Sequence, residues 1–166
     1  MKHAAPYPQA TPGCTRDADY YGWLLEQAHA LRSSASESID SEELAEEIEA
    51  MAASLKRALV SHLETLLVNL LKWAWQATKR SASWEASIAN ARDAVADLLA
   101  DSPSLKRHLD ESLAKAYVRA RRTAGAEIGY DRRQWDTAFA PACPWRLADF
   151  LDDDFWPDPA GQAQPA

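Results

Sequence analysis

Glycine and cysteine are both scarce, with five and two residues in a chain of 166. So few glycines leave no phosphate-cradling loop, and neither a P-loop string nor a Gly-x-Ser-x-Gly nucleophile elbow occurs. Cys14 and Cys143 stand far apart and make no Cys-x-x-Cys pair, which argues against a disulfide framework and a cysteine metal site. A reducing cytoplasm is the compartment expected of such a chain. No run approaches the ~18–20 apolar residues of a membrane span. Met1-Lys2-His3-Ala4-Ala5-Pro6 lacks the apolar core of a secretory signal. Basic residues are the minority: 18 Lys and Arg face 25 Asp and Glu, for a net charge of −7, which opposes binding to nucleic acid or an anionic membrane. Sustained two-residue alternation and hairpin turns are missing too, so strands are not expected.

What is present is helical periodicity. Residues 1–16 and 157–166 read as disordered ends around one helical domain, 17–156. Asp17 or Asp19 caps a first helix carrying Tyr20, Leu24, Ala28 and Leu31. Asp40-Ser41-Glu42-Glu43 has capping-box spacing, flanked by Ile39 and Leu44 as a hydrophobic staple. From there Leu44, Ile48, Met51, Leu55, Leu59, His62, Leu66, Leu70 and Trp73 follow a mean step of about 3.6, the period of a nearly straight helix. Nothing from Ser41 to Ala77 is Gly or Pro. Glu42, Glu46 and Glu49 predict a solvated face on the first half, while Leu63, Leu67 and Leu71 predict an enclosed second half.

A third helix follows Ser81 or Ser83, with Trp84, Ile88, Ala91, Val95 and Leu98 as its stripe. A fourth starts at Ser102-Pro103, presents Leu105, Leu109, Leu113, Tyr117, Ala120 and Ala124, and stops at Gly129. Residues 130–143 read as irregular, and Pro144 opens a short last helix, Trp145–Leu151. The expected fold is all-α: a bundle of four main helices plus a short C-terminal one.

Six strings carry a resemblance. They are Asp19-Tyr20-Tyr21-Gly22-Trp23-Leu24, Leu44-Ala45-Glu46-Glu47-Ile48-Glu49-Ala50-Met51, Leu70-Leu71-Lys72-Trp73, Ser83-Trp84-Glu85-Ala86-Ser87-Ile88, Asp101-Ser102-Pro103-Ser104-Leu105, and Cys143-Pro144-Trp145 with Leu147 and Leu151. In this order, over about residues 17–157, the chain resembles the bacterial domain-of-unknown-function family twenty-nine. The resemblance implies an all-helical bacterial protein with no assigned activity, and so brings no catalytic residues. Similar chains often carry His where this one has Asn69, so the chain departs from the family's pattern at that position.

Candidate sites come from the residues themselves. Glu26-Gln27-Ala28-His29 is a lone Glu-x-x-His, whereas a di-iron bundle needs two. A three-His site would have to gather His29, His62 and His108, and nothing in the spacing favours it. No metal or cofactor is therefore expected. Inside the apolar half of the long helix His62, Thr65, Asn69, Lys72 and Gln76 form a polar seam at steps of 3, 4, 3 and 4. Buried polar groups need partners, so the seam either lines a small-ligand or metal groove or fixes helix register. Trp73, Trp75 and Trp84, three of seven tryptophans, gather around one connector and suggest an interface between two copies. Arg119, Arg121, Arg122, Arg132 and Arg133 form the basic concentration; it suits an anion, although the net charge argues against nucleic acid. No nucleophile arrangement is legible. The function these features favour is a non-catalytic cytoplasmic interaction or accessory protein, forming a homodimer and open to an unknown protein partner. A ligand-binding or enzymatic role for the seam is the alternative, and anion or nucleic-acid contact through the arginines the third.

Overall fold

The start of the first helix shows how local chemistry sets each element. Asp19 has a short carboxylate that reaches forward to an unpaired N–H of the opening turn, and Oδ1 accepts from Gly22 N at 3.0 Å. The computed structural model describes residues 15–33 and 41–158. Helix α1 spans Tyr20–Ser33, α2 Ser41–Trp75, α3 Ala82–Asp101, α4 Leu109–Ile128, α5 Arg132–Ala138 and α6 Leu147–Phe150. Two 3-10 turns, Ala77–Lys79 and Pro103–His108, precede α3 and α4. The fold is all-α, with no strand among the described residues. Asp40 of the expected capping box, Ile39 of its hydrophobic staple, and most of both expected disordered ends lie outside the described residues.

The chain divides into two compact units. The first comprises Met1–Leu55 and Leu99–Lys106. Asp19 ties its sequence-distant pieces together: Oδ2 accepts from Ser104 N at 3.1 Å and Oδ1 from Ser104 Oγ at 2.9 Å. One carboxylate thus serves two helical starts. Ser102, at the expected start of the fourth helix, does not cap it through its side chain; its Oγ is buried and without a hydrogen-bond partner, while Asp19 supplies the acceptor to the turn. Arg32 on α1 binds α2 through Glu42, at 3.0 Å, and through Glu49. Glu49 is therefore half-buried, not part of the solvated face the sequence suggested. The buried face of this stretch of α2 is centred on Ala45 and Ala52, 0% and 2% exposed. Leu44 and Met51 fall on its outer shoulder and stay exposed, because the small alanines, not the large apolar residues, face inward.

The second unit comprises Lys56–Leu98 and Arg107–Ala166. Here α2 is enclosed as expected: Leu63, Leu66, Leu67, Leu70 and Leu71 are fully buried. Ser81 starts α3, its Oγ accepting from Trp84 N at 3.4 Å. Helix α4 begins at Leu109, later than its leucine spacing suggested, because the preceding residues wind as a 3-10 turn. It ends as expected: Gly129 has φ 92, and Tyr130 N returns to Gly125 O at 2.8 Å, the 6→1 bond of a Schellman stop.

The stretch expected to be irregular instead contains α5. Asp131 and Gln134 form a reciprocal capping box, with bonds of 2.9 and 2.8 Å. Gly125 lets α5 approach α4: a Cβ there would lie 2.7 Å from Trp135 Cβ. Arg92, 3% exposed on α3, secures the chain beyond α6. It donates to the carbonyls of Phe150 at 3.0 Å, Asp153 at 3.1 Å and Phe155 at 2.5 Å. Trp156 then lies over the guanidinium at 5.3 Å and against Trp73 at 4.6 Å.

Arg92→Ala strands three carbonyls, and urea unfolding should register a loss of about 3 kcal/mol, with Arg92→Lys recovering only part of it. Gly125→Ala pushes against a Cβ rooted in the α5 backbone. A loss of about 1–3 kcal/mol by the same measurement is expected, with reduced near-ultraviolet dichroism from Trp135.

Candidate functional site

The polar seam runs along one side of α2 to Gln76 just past its end, in the second unit, and two of its five side chains bond their own helix. Thr65 is exposed and donates from Oγ1 to Ser61 O at 3.0 Å. Asn69 donates from Nδ2 to Thr65 O at 3.1 Å. Both return to the previous turn, the usual way a short polar side chain satisfies itself inside a helix. Lys72 pairs with Glu127 of α4 at 2.6 Å and lies 4.9 Å from the Trp84 ring. His62 and Gln76 are half-buried at the two ends. The structure thus joins Lys72 of the seam to Trp84 of the aromatic set.

The three tryptophans serve separate contacts. Trp73 is 8% exposed, packs on Trp156 and accepts Arg80 over its ring at 4.9 Å. Trp75 meets Phe139 edge-on at 5.0 Å. Trp84 is half-buried under Lys72.

The arginines also divide. Arg121 is consumed: it donates to Phe139 O at 2.9 Å and Asp136 Oδ1 at 3.3 Å, and lies 5.2 Å from the Trp135 ring. Arg119 reaches Glu64 at a loose 3.7 Å while remaining 57% exposed. Arg122, Arg132 and Arg133 are exposed and make no ion pair with the described residues. Arg133 lines a shallow groove of about 470 Å³ with Tyr130, Gln134, Thr137 and Ala138. These five positions share one side of α5 and the residue leading into it, at spacings of three to four residues. Sequence reasoning missed the groove because it missed α5; the Asp131-x-x-Gln134 capping spacing was the available signal.

Among the described residues, no three His, Cys, Asp or Glu side chains group to hold a metal ion. His29 is exposed on α1, in the first unit. Cys143 bonds Trp145 O at 3.5 Å, and burial pushes its thiol up, away from the reactive thiolate. Burial also raises the Tyr117 phenol, which donates to Ala140 O at 3.1 Å. No helix among the described residues is long and apolar enough to cross a membrane.

His108, just before α4, is lowered from its ordinary 6.5 by burial first, then by Lys56 and Arg107. The unfolded chain therefore takes up this proton before the folded one. His108 leaves stability untouched above 6.5 and erodes it as pH falls through 6.5 to the lowered folded value. His108→Gln should flatten the decline of melting temperature across that window, before the carboxylates titrate.

Against known proteins, the model for "Domain of unknown function DUF29" matches residues 16–156. No curated protein matches. The crystal structure of an alpha-helical protein of unknown function from Rhodospirillum rubrum is similar, with a TM-score of 0.65 and 24% identity over 89% of this chain and 94% of that one. That likeness shows the fold alone. With the family model spanning the whole of α1 to α6, the chain belongs to the domain of unknown function family DUF29.

Proposed function

We propose that this chain is a non-catalytic cytoplasmic interaction protein that associates with itself. The observation that carries this reading is the outer shoulder of α2 in the first unit. Leu44 and Met51 are 45% and 47% exposed and stand seven residues apart, so they lie on one side of the helix, two turns from each other. Ile48 and Leu55, half-buried between and beyond them, continue the apolar line. Large apolar side chains grouped on one exposed face are characteristic of association surfaces. A helix face of this kind is self-complementary about a two-fold axis, since an antiparallel copy sets Leu44 against Leu55 and Ile48 against Met51. The ligand alternative draws less support, since Thr65 and Asn69 bond their own helix and Lys72 pairs with Glu127.

Sedimentation equilibrium across the micromolar range is the test. A reversible dimer is expected, shifted to monomer by Leu44→Glu or Met51→Glu with the far-ultraviolet dichroism retained. A chain that stays monomeric throughout, or a dimer indifferent to both substitutions, overturns the proposal.

A further inference from the structure

The groove on α5 goes beyond self-association, because it lies on a different helix from the apolar shoulder. Two exposed guanidiniums, Arg132 and Arg133, stand on this helix in a chain of net charge −7. The acidic residues from Glu127 to Asp136 are all engaged. Glu127 holds Lys72, Asp136 meets Arg121, and Asp131 turns an oxygen onto the N–H of Gln134. Arg132 and Arg133 are left exposed with no carboxylate partner among the described residues. Between Arg133 and the half-buried Tyr130 and Ala138 runs a groove that is open to solvent; Arg132 does not line it. It is too open to enclose a small molecule, yet its volume of about 470 Å³ accommodates one or two side chains of a segment lying across it.

We propose that this face docks a short acidic segment of a partner protein. An apolar side chain of the segment enters beside Tyr130 and Ala138, while a neighbouring carboxylate pairs with the guanidinium of Arg133. Charge complementarity decides the occupant. A planar guanidinium without a carboxylate partner among the described residues is open to bind one through two parallel N–H···O bonds. A nucleic acid, with its extended charge, meets the repulsion of the whole acidic chain, whereas a short segment feels mainly the local cations.

The test is a nitrogen-15 amide titration of the full chain with a synthetic peptide of alternating Glu and Leu. Controls are the same peptide with Lys for Glu and a single-stranded oligonucleotide of matched charge. Saturable shifts confined to Tyr130–Ala138 are expected with the acidic peptide alone. Arg133→Glu should weaken them about tenfold, the loss of one charge-assisted pair. Thr137→Glu should also weaken them, while Arg122→Glu leaves them in place. Absence of saturable shifts, equal binding by Arg133→Glu, or stronger binding of the oligonucleotide each overturns the proposal. Running the titration in the Met51→Glu background separates its outcome from that of self-association.

Discussion

The second unit depends on a cation placed where a cation is costly. Arg92 is almost wholly removed from water, and desolvation lowers its affinity for its proton. It is tolerated because three carbonyls, one from the last residue of α6 and two from the chain past it, converge on it. Those carbonyls have no helix of their own to satisfy them, since α6 is four residues long. The guanidinium and the C-terminal segment therefore solve each other's problem. Trp156 completes the arrangement by covering the guanidinium and the Trp73 ring together. Trp73 and Trp156 are both spent in this way, each between a cation and the other's ring.

Much of the helical order was legible because it rests on local signals. Asp19, Ser81 and Gly129 act at the helix ends where their chemistry placed them, and the leucines from Leu63 to Leu71 are buried as their density required. The failures share a cause. Arg92 and Ser104 look like surface residues in any periodicity count; only partners 58 and 85 residues away give them their roles. Periodicity also weighted Leu44 and Met51 as inward, whereas Ala45 and Ala52 occupy the buried face. Apolar size says how much area is available to bury, not which side of a helix a neighbour will cover. Helix α5 has too little apolar content to show in the periodicity, although Asp131 and Gln134 stand at capping-box spacing.

The seam on α2 shows how a polar line survives in an apolar helix. Thr65 and Asn69 return their donors to carbonyls one turn back, and Lys72 carries its charge out along its stem to Glu127 and the Trp84 face. None of this is visible in a spacing of three and four, which marks only that the residues share a side. The arginines behave likewise. Five close in sequence separate into one held by backbone and aromatic ring, one loosely paired and three exposed without an ion pair among the described residues.

The bond from Asp19 to Ser104 has a consequence for how the chain comes to be folded. The two residues are 85 positions apart, and the first unit is assembled from both ends of that interval. On a ribosome, which adds about 5–20 residues per second, α1 and the start of α2 are made several seconds before the segment that completes their unit. During that interval Tyr21 and Leu24, buried in the finished unit, lack its Leu99–Lys106 segment, and Asp19 lacks Ser104. The order of synthesis thus hands the amino-terminal residues a period of exposure that the finished molecule conceals.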